Sequence, residues 1–279
     1  MRALPLVAVS LGYFMVILDA TVVTVALPAL GREFGLGVAG LQWVVDAYTV
    51  VFAGLLLLGG SLGDRFGSRR VFLAALCCFT LASLACGLAP SLGALVAARA
   101  VQGAGAAMTV PSSLALVRAA YPDDRERARA FGMWAGIAGI AAAAGPVLGG
   151  VLTASTSWRA VFMVNLPIGA VALWLVRRHV AVSSRQPGAS GLDPLGQVTA
   201  VASLGGLVVA LIEGGRLGWR VPAAVAGLAV FATAGLAWLL NERRAHDPMI
   251  PPGLFRRPGF SGGSAVGCCS TSASTASCS

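Results

Sequence analysis

Hydrophobic residues occur in long continuous runs along this chain, and short polar segments separate the runs. Eight runs are predicted, at about residues 4–30, 44–62, 71–90, 93–117, 131–153, 161–176, 195–213 and 221–240. Most are close to the roughly 20 residues that an α-helix needs to cross the hydrocarbon core of a bilayer. Because the runs are continuous and not alternating, they favour helices over the strands of a membrane barrel. The pattern therefore predicts an all-α polytopic membrane protein.

The composition agrees with this prediction. Of the 279 residues, 57% are hydrophobic and 11% are charged, whereas soluble domains carry about 25% charged residues. This excludes a soluble enzyme, a disordered chain and a coiled coil. The net charge is +9, but the sequence has no basic stripe with interleaved aromatic residues, which nucleic-acid binding would require. We therefore expect the lipid bilayer, and no nucleic acid, as a partner.

The arginines are unevenly distributed between the two sets of loops. With the N-terminus placed in the cytoplasm, 15 of the 20 basic residues lie in inside loops, four lie in outside loops, and Arg99 lies within a span. Cytoplasmic loops of membrane proteins carry an excess of basic residues. The sequence therefore predicts a multi-pass protein of the cell (inner) membrane with a cytoplasmic N-terminus.

Polar connections divide the chain into segments. Residues 1–178 contain six spans, 179–194 form a flexible cytoplasmic linker rich in Ser, Gly and Pro, and 195–240 contain two more spans. Residues 241–258 are a second, Pro-rich cytoplasmic linker, and 259–279 begin a ninth apolar span that stops early. This division predicts a bundle of six spans followed by an extra pair.

The tail from Cys268 onward is rich in Ser, Thr and Cys, where an apolar span should continue. Synonymous codons for this stretch can be chosen so that a shifted reading frame encodes an apolar segment, and a frameshift near Gly267 is therefore one interpretation. A genuine polar tail and a cysteine metal site are the alternatives, although the cysteine spacing is a poor metal signature. No cofactor and no metal are expected.

Two motifs combine glycine with charge or proline. The first is the loop Gly60-Ser-Leu-Gly-Asp-Arg-Phe-Gly-Ser-Arg-Arg between the second and third spans, whose candidate residues are Gly60, Asp64, Arg65, Gly67, Arg69 and Arg70. Glycine permits tight turns and close helix approach, and arginines hold a loop at an anionic membrane surface. The second motif, in the fifth span, contributes Gly145, Pro146, Gly149 and Gly150. A bent, closely packed helix with a functional role is one interpretation of this motif, and packing alone is the alternative.

Three ionisable residues lie within predicted spans, namely Asp19, Asp46 and Arg99. A charge in mid-span costs about 2.5–3.5 kcal/mol on insertion scales, so it usually marks function. All three fall in the outer half of the membrane, at a rise of about 1.5 Å per helical residue. Our hypothesis is a proton site at Asp19 or Asp46 that is tuned by Arg99, because a nearby arginine favours the charged carboxylate whereas burial disfavours it. The alternatives are a helix-capping role for Asp46 and a structural buried pair for Asp19 and Arg99.

These segments together resemble the major facilitator superfamily, and in particular its fourteen-span drug/proton antiporters. The resemblance is carried by the loop at 60–70 and by 18–28, 42–48, 99–107, 145–150 and 158–169, with Thr24 at a position where the family usually has Asn. It implies two six-span bundles with two extra spans between them. The first six spans here would be the N-terminal bundle, spans seven and eight the extra pair, and the second bundle is missing.

The resemblance implies a secondary active transporter that exports drugs or small organic metabolites across the cell membrane in exchange for protons. The alternative is a truncated, non-transporting membrane fragment, because substrate sites in this fold lie between the bundles. A separate chain that supplies the second bundle would then be a required partner. A membrane enzyme is not favoured, because no span contains histidine and the metalloprotease motif H-E-x-x-H is absent. The substrate, and proton rather than sodium coupling, stay open.

Overall fold

A computed structural model describes residues 3–35, 37–181 and 194–244. The described residues form the helices α1 (Ala3–Phe34), α2 (Val38–Phe66), α3 (Ser68–Gly87), α4 (Leu92–Ala120), α5 (Asp124–Ser155), α6 (Ala160–Met163), α7 (Asn165–His179), α8 (Pro194–Leu217) and α9 (Pro222–Arg244). Within these ranges the chain has eight helical spans long and apolar enough to cross a membrane, with α6 and α7 together making the sixth. The predicted all-α polytopic fold is confirmed. The tail from Cys268 and the second linker beyond Arg244 lie outside the described residues.

The helices extend beyond the apolar runs that predicted them. The fifth run was expected to begin at 131, but α5 begins at Asp124, because Asp123 caps its first turn. The Asp123 carboxylate accepts a hydrogen bond from the amide of Glu126 at 2.9 Å. Ser91 caps α4 in the same way, through the amide of Ala94 at 3.3 Å. Apolar runs mark the part of a helix in hydrocarbon, whereas the capping residues lie outside it and set where the helix begins.

The sixth span is broken into two helices at Val164. Pro167 has no amide hydrogen, so the carbonyl of Met163, four residues earlier, cannot receive its helical hydrogen bond. The first turn of α7 tolerates proline, because its amides have no partner within the helix. The break places Asn165, the first residue of α7, inside the membrane span.

The bundle is held together by pairs of closely packed helices. Helix α4 packs along α2 and α3, α1 packs along α5 and α7, and α9 packs on α8, which in turn packs on α2. The approach of α4 to α2 depends on Gly103, where an added Cβ would lie 2.5 Å from the carbonyl oxygen of Tyr48. The separation of the six-span bundle from the extra pair remains a prediction.

The second glycine motif contributes to the contact between α5 and α1. A Cβ at Gly145 would overlap the side chain of Thr21, and one at Gly149 would lie 2.9 Å from the carbonyl oxygen of Val22. Gly150 has no neighbour within 4 Å of such a Cβ. The motif therefore packs through two of its glycines, whereas a Cβ added at Gly150 would lie in open space.

We expect Gly145→Ala to destabilise the bundle by about 1–3 kcal/mol, as overpacking of a close contact usually does. Thr21 cannot move away freely, because its hydroxyl bonds the carbonyls of Ile17 and Leu18. The measurement is the unfolding midpoint of the purified chain in detergent. Gly150→Ala is the matched control and should leave the midpoint unchanged. Equal midpoints for the two variants would contradict this account of the packing.

Candidate functional site

Two of the three predicted intramembrane charges form a buried ion pair. A guanidinium NH group of Arg99 lies 2.5 Å from Oδ2 of Asp19, and the two side chains are 1% and 0% exposed. The Nε of Arg99 donates to the carbonyl of Val44 at 3.1 Å. The guanidinium carbon also lies 4.3 Å from the centre of the Tyr48 ring, as in a cation–π contact. Helices α1, α2 and α4 therefore meet at this pair.

Two amide side chains complete the surroundings of the carboxylate. Gln102 and Asn165 each donate to Oδ1 of Asp19 at 2.9 Å. Both also donate to the hydroxyl of Ser83, at 2.5 and 3.0 Å respectively. All of these side chains are fully buried. Because a buried charge is tolerated only when it is paired and hydrogen-bonded, this network is what allows Asp19 to lie in the membrane as a carboxylate.

The network joins five spans. Asp19 comes from α1, the Val44 carbonyl from α2, Ser83 from α3, and Asn165 from α7, which begins at the break in the sixth span. Helix α4 contributes Arg99 and, one turn later, Gln102, whose carbonyl accepts from Arg99 at 2.7 Å. A change in the charge of Asp19 would therefore alter hydrogen bonds that connect all five spans.

No role was predicted from the sequence for Gln102, Asn165 or Ser83, although the first two lie in the stretches that carry the family resemblance. The signal of Gln102 and Asn165 was an uncharged amide inside an apolar run. Such residues are costly in hydrocarbon unless they hydrogen-bond across helices. That requirement indicates a partner but does not identify it.

Asp46 lies apart from this network, in a pocket of about 200 Å³ between α2 and α8. The pocket is lined by Trp43, Val209 and Glu213 among others, and Asp46 is half-buried there. Of the two carboxylates considered for the proton site, only Asp19 hydrogen-bonds Arg99 in the described residues.

The glycine-rich loop is a tight turn between α2 and α3. Gly67 alone separates the two helices and has a φ of 89°, a left-handed conformation that strains any residue with a side chain. The guanidinium of Arg69 donates to the carbonyl of Arg177 at 2.8 Å, near the C-terminal end of α7. The loop therefore ties the start of α3 to the end of the sixth span.

The other residues of this loop face water or a cleft. Gly60 and Asp64 line a cleft of about 1000 Å³ with Arg118 and His179. Arg65 lies 5.4 Å over the ring of Phe66, and Arg70 is exposed. Pro146, in the other motif, is exposed within α5, which runs from Asp124 to Ser155 as one helix.

A second polar contact between helices lies at the opposite end of the bundle from the Arg69–Arg177 contact, and no sequence pattern predicted it. The Glu33 carboxylate accepts from Arg159 and from the indole of Trp158, both at 2.6 Å. The Trp158 ring contacts Phe162 edge-on, at 6.1 Å between ring centres. Phe162 in turn lies 5.8 Å from the guanidinium of Arg99. A continuous set of contacts thus links this end of the bundle to the buried ion pair.

Comparison with known proteins gives a consistent result. Residues 9–260 match the Major Facilitator Superfamily. The chain is 43% identical over 255 residues to the multidrug resistance protein Stp of Mycobacterium tuberculosis, covering 91% of this chain and 47% of Stp. It is 40% identical over 263 residues to the methylenomycin A resistance protein of Bacillus subtilis, covering 94% of this chain and 56% of that protein. The chain therefore spans about half the length of these relatives.

A further relative and a solved structure extend the comparison. The cephamycin export protein CmcT of Amycolatopsis lactamdurans is 43% identical over 260 residues, covering 92% of this chain and 54% of CmcT. The crystal structure of a peptide transporter POT in complex with sulfate superposes with a TM-score of 0.63 at 16% identity, covering 87% of this chain and 53% of that chain. At that identity the likeness shows the fold alone.

We expect Arg99→Leu to destabilise the chain by about 3–5 kcal/mol, because it leaves the Asp19 carboxylate buried without its charge partner. The double variant Asp19→Leu, Arg99→Leu should be more stable than Arg99→Leu alone, since it removes both charges. Unfolding in detergent is measured for four proteins: the wild-type chain, Asp19→Leu, Arg99→Leu and the double variant. The exposed pair is the matched control: Arg159→Gln should cost far less, because water screens that pair. Full additivity of the two leucine substitutions would contradict the buried ion pair.

Proposed function

Because the chain belongs to the Major Facilitator Superfamily, a family of membrane transporters and not of enzymes, we propose that it exports drugs or small organic metabolites in exchange for protons. Stp and CmcT are named as a multidrug resistance protein and an export protein, which supports export of small organic molecules. Antibiotics are the first substrates to test, since another relative is a methylenomycin A resistance protein.

The buried pair of Asp19 and Arg99 is the observation that carries the proton-coupling part of this proposal. Hydrophobic residues of similar volume often stabilise a protein as well as a buried ion pair does. A titratable carboxylate within the membrane therefore needs a reason other than stability, and proton relays of pumps and transporters are built from acidic residues of this kind. Asp19 is thus the coupling residue and Arg99 its tuning partner.

Protonation of Asp19 would remove its attraction to Arg99 and so weaken the link between α1 and α4. A ligand or a proton shifts a two-state equilibrium only if it binds the two states differently. In this proposal the charged carboxylate stabilises the arrangement described here, and the neutral acid permits α1 to separate from α4. Binding and release of the proton would then open the transport pathway to the two sides of the membrane in turn.

Two polar contacts at opposite ends of the bundle, between Arg69 and the carbonyl of Arg177 and between Glu33 and Arg159, would act as latches in this cycle. The end of the bundle that carries Arg65, Arg69 and Arg70 is assigned to the cytoplasm by the excess of basic residues in its loops. The Arg69 contact with the end of α7 is then a cytoplasmic latch, and the Glu33–Arg159 pair an external one. Transport would require the two to open in turn.

A second bundle would be needed to enclose a substrate, because transporter sites lie near the bilayer midplane at the interface of the repeats. The open side of α5 is the surface that we assign to it. Gly132, Gly136 and Gly139 have no neighbour within 4 Å of an added Cβ, and small residues in membrane helices favour close contact with another helix. Residues of a longer protein, or a separate chain, would supply this bundle.

We expect Asp19→Asn to abolish uphill export while leaving the chain in the membrane. The amide cannot take up a proton, so substrate movement is no longer coupled to the gradient. The measurement is uptake of a fluorescent cationic dye by everted membrane vesicles that contain this chain, before and after a proton gradient is imposed and then collapsed. Membranes that contain the chain together with a second bundle form a parallel arm.

Asp46→Asn is the matched control, because it neutralises the other candidate carboxylate outside the Arg99 network. It should retain gradient-driven uptake. Uphill transport retained by Asp19→Asn would end the assignment of Asp19. If the gradient-driven uptake requires sodium, sodium replaces the proton as the coupling ion and the proton-coupling part of the proposal is wrong. A correctly inserted wild-type chain that moves no dye in either arm would contradict the transport proposal itself.

A further inference from the structure

One buried polar atom in the central network has no hydrogen-bond partner, and it belongs to Asn165. Its side-chain nitrogen makes two hydrogen bonds, to Asp19 and to Ser83. Its carbonyl oxygen is buried and accepts none. A buried acceptor without a donor costs about 1–3 kcal/mol, so its presence beside the carboxylate needs an explanation.

Every side chain that hydrogen-bonds Asp19 in the described residues does so as a donor. Arg99 donates to Oδ2, and Gln102 and Asn165 both donate to Oδ1. This arrangement suits a carboxylate, which can only accept. A protonated Asp19 carries one O–H, and that hydrogen would point at another donor unless a neighbour changed its role.

Of these three neighbours, only Asn165 has an oxygen available to accept. Arg99 has no acceptor at all. The carbonyl of Gln102 is held by the charged Arg99 at 2.7 Å and is also contacted by the Cys86 thiol at 3.6 Å. A rotation of the Gln102 amide would break the hydrogen bond between its oxygen and the charged Arg99. Rotation of the Asn165 amide breaks only the two hydrogen bonds of its nitrogen, to Asp19 and Ser83, and its oxygen can replace both.

An amide rotation would exchange two nearly equal groups. The terminal torsion of asparagine is broad, so its oxygen and nitrogen can trade places within the same space. The Asn165 oxygen would then lie between Asp19 and Ser83, where the nitrogen lies now. It could accept the new O–H of Asp19, and it could also accept from the Ser83 hydroxyl, which is both a donor and an acceptor.

We propose that Asn165 is a positioning residue for proton coupling, whose side-chain amide turns over when Asp19 is protonated so that its carbonyl oxygen accepts a hydrogen bond from the Asp19 O–H. The proton is taken up from water by the carboxylate and stays on it. The inference rests on the proposed function of Asp19 as the proton site. It adds the sixth span to the coupling, because Asn165 is the first residue of α7, next to the break at Val164.

Among the described residues, three other titratable groups face Asp19 and would not confuse the test. Arg99 comes from α4, Tyr48 from α2 and Cys86 from α3, and all are buried. Each already holds its proton at neutral pH. Acidification from neutral pH therefore leaves the proton content of these three groups unchanged.

The experiment is infrared difference spectroscopy on the wild-type chain in lipid bilayers, between neutral and acidic buffer. Two carbonyl signals are followed. The acid carbonyl of Asp19 is assigned by its loss in Asp19→Asn. The chain contains two asparagines, Asn165 and Asn241, so a heavy carbon isotope in the asparagine side-chain carbonyl marks only these. Asn241→Gln leaves Asn165 as the only labelled signal.

The proposal expects both signals to change over the same range of pH. The Asn165 carbonyl should shift to lower frequency, because it gains a hydrogen bond. The Asp19 acid band should lie where a hydrogen-bonded acid absorbs. In Asn165→Leu it should move to the higher frequency of an acid without an acceptor. Ser83→Ala is the matched control: it removes a hydroxyl that bonds both amides and should keep the Asp19 band hydrogen-bonded.

The outcomes separate this inference from the proposed function. If the Asp19 acid band appears but the Asn165 carbonyl does not respond, the amide rotation is overturned and the proton site stands. If no acid band of Asp19 appears, both are overturned. Should Asn165→Leu fail to fold, the labelled wild-type chain still decides, because its two signals need no substitution at Asn165.

Discussion

The buried attraction between Asp19 and Arg99 is the constraint on which the rest of this structure depends. Neither charge could remain in the hydrocarbon layer alone. The carboxylate lone pairs and guanidinium N–H groups that the ion pair does not use need further hydrogen-bond partners. The pair and the groups that complete its hydrogen bonds come from five spans, from Asp19 on α1 and the Val44 carbonyl on α2 to Asn165 on α7. The requirement to satisfy one carboxylate therefore fixes how these spans are arranged around α1. Close helix approach at Gly103 makes the arrangement possible, because it brings α4 against α2 and Arg99 within reach of the Val44 carbonyl.

The spans and the charges within them could be predicted from the sequence, because both produce signals local to a stretch of chain, whereas the choice between Asp19 and Asp46 as the partner of Arg99 stayed open. Twenty apolar residues predict a span whatever they pack against, and a charge within them is conspicuous. The amides were harder. Asn165 bonds a carboxylate that lies 146 residues away, and Glu33 bonds Arg159 across 126 residues. No local pattern specifies such partners. Asp46 shows the converse: depth in the membrane suggested proximity to Arg99, but depth does not specify the direction in which a side chain leaves its helix, and Asp46 lines a pocket against α8.

The glycines of α5 lie on two different surfaces of the helix, one packed against α1 and one open. Gly145 and Gly149 are buried and allow α5 to approach Thr21 and Val22 of α1. Gly132, Gly136 and Gly139 lie on open surface along the same helix. Sequence analysis could predict close packing for the helix, but the assignment of each glycine to a contact or to open surface needs the neighbouring helix. A helix that is packed through one set of small residues and open through another is suited to lie between a stable bundle and a second, movable one.

An amide has an advantage over a charged group as a partner for a carboxylate that gains and loses a proton in the membrane. A second arginine in place of Asn165 would bind the carboxylate more strongly, but it would be left as an unneutralised charge once the proton arrived. A hydrophobic residue would leave the charged form with one donor fewer and the neutral form without an acceptor. The amide offers a donor and an acceptor at the same point and keeps its own charge at zero in both states, so its burial costs a similar amount in each. Arg99 supplies the charge that distinguishes the states, and Asn165 supplies a hydrogen bond in both. The difference in energy between the states then comes mainly from the ion pair, which is the interaction that a proton can switch.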